Sequence, residues 1–121
     1  MKRYVKLRKW IDDYGYSFNF GIFDSSLLHT IDLSNALEVI LKISKVGGGS
    51  NLVILETTAD FKDRKNGIIS YTVQPNDFAL SRFESKTQPI PKPWVFNIFA
   101  NIYFPDSLET QFLAEIHFDK A

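Results

Sequence analysis

Histidine, paired carboxylates, glycine-rich loops and exposed aromatic rings are the residues here whose types could do chemistry, and each points to a different activity. His29 and His117 are the two imidazoles, one in a connecting segment and one on the polar side of the last strand. Neither has the HExxH spacing, or another carboxylate or histidine arrangement, that a metal centre or a proton relay needs. Both are expected at the surface. Asp12-Asp13 and the Asp60 to Asp63 stretch offer oxygens to a hard cation, but the Asp-x-Asp-x-Asp-Gly order with a distal Glu is absent, so turn chemistry accounts for them. Gly47-Gly48-Gly49-Ser50 lacks the following Lys-Ser or Lys-Thr of a phosphate cradle and stands between two strands, which makes it a hairpin tip. No Gly-x-Ser-x-Gly elbow occurs. No catalytic, cofactor-binding or metal-ligating residue is therefore expected, and the chain reads as a non-enzyme. Aromatic rings are the remaining chemistry. Sugar-binding sandwiches stack ligands on exposed rings, which makes Trp10, Tyr14, Trp94 and Tyr103 the residues to watch, Trp10 and Tyr14 as a candidate aromatic surface.

The elements that must position these residues are strands. In the segment Trp94 to Phe118, residues Trp94, Phe96, Ile98, Ala100, Ile102 and Phe104 alternate with Asn97 and Asn101. After a Pro105-Asp106-Ser107 turn, Leu108, Thr110, Phe112, Ala114, Ile116 and Phe118 alternate with Glu109, Gln111, Glu115 and His117. The pattern predicts a hairpin with its even-numbered residues toward the core. A hairpin alone is marginal in water, so a second layer must cover it. Val5 and Leu7 against Lys6 and Arg8 predict an edge strand with a basic wet side. Tyr16, Phe18, Phe20 and Ile22 predict a second strand, and Leu27 to Ala36 a connection between sheets. Glu38 to Val46 and Leu52 to Ala59 form a hairpin around the glycines. Asp60 to Gly67 reads as a polar loop whose Asn66-Gly67 end makes a sharp reversal before a strand over Ile68 to Val73. Ser81 to Pro93, with three prolines, breaks the pattern. It reads as an extended loop or arm, with Phe83, Ile90 and the adjoining Trp94 as candidate protein contacts.

Composition sets the bounds. The chain has 121 residues, suited to one domain over 1–121, with 45% hydrophobic residues and eleven Phe, five Tyr and two Trp, a composition that favours strand packing. Basic and acidic residues number fourteen each, so no global field draws nucleic acid or an anionic membrane. There is no cysteine, hence no disulfide or thiolate site. No apolar run is long enough for a membrane span, and the basic opening lacks a signal-peptide core, so a soluble, unprocessed chain is expected. About seven strands at short spacing indicate an all-β antiparallel sandwich.

The order of punctuation is more specific than that. It runs Ile31-Asp32-Leu33-Ser34-Asn35-Ala36, then Val39 to Lys45 and a glycine turn, then Asn66-Gly67-Ile68-Ile69-Ser70-Tyr71, and ends Phe104-Pro105-Asp106-Ser107 before a last strand. This resembles the N-terminal immunoglobulin-like domain of phage upper baseplate proteins, where a "DLSGA"-like entry, a "K-x-DG" hairpin, an "NG-x-V-x-Y" strand and a final "FPDG" hairpin recur. The likeness covers residues 16 to 118. It departs at Ser107, a glycine in the family, and at the Ser81 to Pro93 arm, which replaces a short turn. The resemblance implies an immunoglobulin-like sandwich that serves as a virion component of the tail or baseplate. It implies assembly with other virion proteins, homo-oligomers in the particle, and no cofactor. Capsid decoration, or a carbohydrate-binding module for host attachment, are the alternatives.

Overall fold

A computed structural model describes residues 4–10, 14–24, 29–45, 53–75, 77 and 95–120. Among the described residues there are eight strands: β1 (Tyr4–Trp10), β2 (Ser17–Gly21), β3 (Glu38–Lys45), β4 (Val53–Thr58), β5 (Asp60–Asp63), β6 (Ile68–Thr72), β7 (Val95–Phe104) and β8 (Ser107–Lys120). They form a five-stranded sheet in the order β1-β8-β7-β3-β4 and a three-stranded sheet in the order β2-β6-β5. The inner faces share one core that includes Phe18, Phe20, Ile69 and Tyr71 from the small sheet and Val39, Leu41, Ile43, Phe96, Ile98 and Ile116 from the large one. This is an all-β sandwich, and β2-β6-β5 facing β8-β7-β3-β4 reproduces the B-E-D and G-F-C-C′ strand order of immunoglobulin-like domains.

Three features differ from the sequence reading. Asp60–Asp63 is a strand, paired antiparallel with β6, where a polar loop is expected. Its only large apolar side chain is Phe61, which packs on the core, so a four-residue strand with three charged residues carries almost no periodic signal. Ala59, 3% exposed, is the corner at which the chain leaves the large sheet for the small one, and its N–H donates to the Val39 carbonyl at 2.9 Å. The second difference is β1, which lies at an edge as expected but pairs with β8 in parallel. Every pairing among β2 to β8 is antiparallel. Strand direction at the two chain ends is free of any hairpin constraint, because the whole domain forms the crossover between them.

The hairpin of β7 and β8 holds the largest correction. Pairing runs Phe96 with Ile116 and Ile98 with Ala114, then jumps to Phe99 with Phe112, which leaves Leu113 as the extra residue of a bulge. Beyond it, Gln111 stands opposite Ala100, and Thr110 opposite Asn101. Directly opposed residues share a face. Ile116, Ala114 and Leu113 are therefore buried, whereas Phe112, Thr110 and Leu108 lie on the outer face and are half-buried or exposed. The even-numbered register holds for Phe96 to Ile102 and for Ala114 to Phe118, and fails for Leu108 to Phe112. The cause is Phe112-Leu113-Ala114: consecutive apolar residues cannot all point inward from a regular strand, and the bulge turns Leu113 in.

Connections close one end of the sandwich. Leu33 and Ala36 are buried in the crossing between β2 and β3. Arg64 stacks on Phe61 at 3.7 Å, and its guanidinium donates to the Ala36 carbonyl at 2.9 Å while its own carbonyl accepts the Leu33 N–H at 2.7 Å. Asn66-Gly67 makes the expected reversal, with Gly67 at φ 71°, and the Ile22 N–H donates to the Gly67 carbonyl at 2.8 Å. The Gln111 side-chain amide completes the end. It accepts the Phe23 N–H at 3.1 Å and donates to the Phe23 carbonyl at 2.7 Å.

Candidate binding face

The outer faces of the two sheets are chemically unlike. On the small sheet the outward residues include Ser17, Asn19 and Thr72, with Lys62 alongside. A Ser17 to Thr72 hydroxyl bond of 2.8 Å and a Lys62 Nζ bond to Asn19 Oδ1 of 3.2 Å mark a solvated polar surface. On the large sheet, Ile40, Phe99, Tyr103 and Phe112 are only half-buried, and Leu108 and the neighbouring Leu37 are 52% and 64% exposed. Phe99 and Phe112, directly opposed across β7 and β8, meet edge to face at 5.3 Å.

A hollow of about 490 Å³ lies in this outer face, lined by Lys42, Ser44, Asn97, Phe99, Asn101, Leu108 and Thr110. Its geometry follows from strand register. Ser44 lies opposite Asn97 and Lys42 opposite Phe99, while Asn101 lies opposite Thr110. Small polar side chains at 44, 97, 101 and 110 leave the depression, and the longer Lys42, Phe99 and Leu108 form its floor and walls. Thr110 Oγ1 donates to Asn101 Oδ1 at 2.7 Å, which fixes that amide with its Nδ2 left to donate. Asn97 Oδ1 is shielded from solvent and has no hydrogen-bond partner. Such a group destabilises the fold by about 1 to 3 kcal/mol, a cost native structures seldom carry without cause. Lys42 is 3.7 Å from Glu56 on the same face, and both side chains are exposed.

Farther along β7 and β8 the same face buries charge. Glu115 is 9% exposed and stands opposite Asn97. His117 Nε2 lies 3.5 Å from Glu115 Oε1 with its side chain 33% exposed, so His117 is half-buried beside a carboxylate where the sequence predicts a surface position. His29 is exposed as expected. Among the described residues, no group of three or more histidine, aspartate or glutamate side chains converges as a metal site and no helix is long and apolar enough to cross a membrane.

Of the residues singled out from sequence, Tyr14 is exposed, at 62%, just before Gly15 with its φ of 86°. Trp10 ends β1, opposite Lys120. Phe83, Ile90, Trp94 and the Ser81 to Pro93 arm lie outside the described residues. Tyr103 lies on the outer face opposite Leu108. The hollow itself was not anticipated. Its signal is Phe99, an aromatic residue on the Asn97 and Asn101 side of an alternating strand, where a solvated face would carry another polar residue. A comparison with protein-family models finds no match, and neither does one with curated proteins.

Proposed function

We propose that the protein is a non-enzymatic virion component of a phage, a structural or adaptor module of the tail or baseplate that assembles with other virion proteins and with copies of itself. The observation that carries this reading is the contrast between the two outer faces. A sandwich that only had to stay folded would present polar residues on both, as the small sheet does, whereas the large sheet offers Leu37, Tyr103 and Leu108 together at its hairpin end. The B-E-D and G-F-C-C′ strand order supports the resemblance to the baseplate domain. Symmetric assembly multiplies weak contacts into a stable particle, which suits a small module with no net charge.

Particles purified from cells that carry the gene provide the test. The protein is expected in them at a fixed ratio to tail proteins. Leu37→Lys with Leu108→Lys should remove it from particles while leaving the melting temperature of the free chain within about 2 °C, since exposed side chains contribute little to folding. A protein absent from purified particles and confined to the cell extract would refute the reading, and a fixed ratio to head proteins would move it to capsid decoration.

A further inference from the structure

We propose that the hollow on the outer face of the five-stranded sheet binds an uncharged oligosaccharide, with Phe99 as the stacking platform and Asn97, Asn101, Ser44 and Thr110 as the hydroxyl-reading groups. The inference stands on the lining chemistry and goes beyond the assembly role.

The lining selects the ligand class by elimination and by fit. An anion needs converging positive charge, but Lys42 is the one cation lining the hollow among the described residues, and it has Glu56 3.7 Å away. A metal ion needs anionic oxygens, and among the described residues no carboxylate lines the hollow. An apolar ligand would cover the Asn97 amide oxygen and give it no partner. A sugar presents the matching surface, with C–H groups on one side of the ring and hydroxyls around its rim that donate and accept at once. Phe99 and Leu108 can meet the first, and two amides and two hydroxyls the second.

Shape points the same way. The hollow follows β7 from Asn97, opposite Ser44, toward Leu108, which pairs with Tyr103. At about 3.3 Å per residue this is a run of roughly 20 Å, long enough for several rings end to end. An extended peptide is less suited, because β7 already pairs with β3 on one side and β8 on the other and has no backbone edge to offer. Preparation of the two amides is also unequal in a useful way. Asn101 is held by Thr110 at 2.7 Å, so it forms a fixed contact. Asn97 Oδ1 is not committed to the protein, so that amide can turn to meet a ligand without breaking an internal bond.

The full chain is applied to an array holding neutral oligosaccharides of the maltose, cellulose, chitin and galactan series, sialylated and sulfated glycans, and extended peptides. Retained ligands are then titrated by calorimetry. Neutral glycans are expected to bind with a Kd of roughly 10 μM to 1 mM, unchanged by added salt because no ion pair is involved. Phe99→Ala and Asn97→Ala should each weaken binding about tenfold or more, a loss of about 1.4 kcal/mol. Thr110→Lys, an exposed position, should fill the hollow and abolish binding while the circular dichroism spectrum stays that of the parent and unfolding stays cooperative, with a lower melting temperature from the lost bond to Asn101. The proposal is overturned by retention of no neutral glycan, by retention of anionic glycans or peptides alone, or by neutral-glycan binding that survives Thr110→Lys in a folded protein.

Discussion

Leu113→Ala should destabilise the protein more than Phe112→Ala, although the second removes far more side chain. The reasoning rests on the bulge in β8, which places Leu113 inside at 5% exposed and puts Phe112 on the outer face. Truncating a buried leucine removes its transfer free energy and leaves a cavity, at a cost of about 2 to 5 kcal/mol. Phe112 is half-buried, so about half of the roughly 3 kcal/mol available from full burial is at stake. Loss of its edge-to-face contact with Phe99 adds about 0.5 to 1 kcal/mol. No enclosed cavity forms on an open face, and the sum stays near 2 kcal/mol. Ile98→Ala is the control, because Ile98 is fully buried in either register and should cost about 2 to 5 kcal/mol. Urea unfolding at 25 °C followed by circular dichroism reads all three, provided the slope of free energy against urea stays constant. A loss near 4 kcal/mol for Phe112→Ala with under 1 kcal/mol for Leu113→Ala would restore the uninterrupted even-numbered register and refute the bulge.

Three further outcomes follow from particular contacts. Gln111→Ala removes two hydrogen bonds to the Phe23 backbone and should cost about 1 to 3 kcal/mol, with hydrogen exchange at the Phe23 amide faster than the global loss of stability explains. Gly67→Ala forces a Cβ onto a residue at φ 71° and against the Ile31 carbonyl oxygen; strain alone is about 1 to 3 kcal/mol, which a melting curve should register as a fall of about 4 °C or more. Asp63 accepts the Asn66 N–H at 3.2 Å and its side-chain amide at 2.8 Å, and these bonds hold its carboxyl below the ordinary value of 3.8. A depressed carboxyl pKa means that the stability it lends is fully present above pH 3.8 and is lost as pH falls through the lower folded value. The stability difference between the parent and Asp63→Ala should accordingly shrink below pH 3.8 and be constant between pH 5 and 7; a difference that grows with acid would contradict the turn geometry.

Alternation alone determined a great deal about this protein. Phe18 and Phe20 in one strand with Ile22 just past its end, Val39, Leu41 and Ile43 in another, and Phe96 to Ile102 in a third repeat with period two and point inward as that period demands. Asn66-Gly67 marked its reversal because a positive φ needs glycine. What one strand cannot encode is a choice made by two. Whether Phe112 or Leu113 turns inward depends on which residue of β7 lies opposite, so the bulge is a property of the pair. β5 is held by β6 and by Phe61 against the core rather than by its own mostly charged residues. The parallel match of β1 with β8 joins chain ends that no local signal relates. The hollow is decided last of all, because Ser44, Asn97 and Thr110 come from three strands. Each is an ordinary polar residue until register brings them around Phe99.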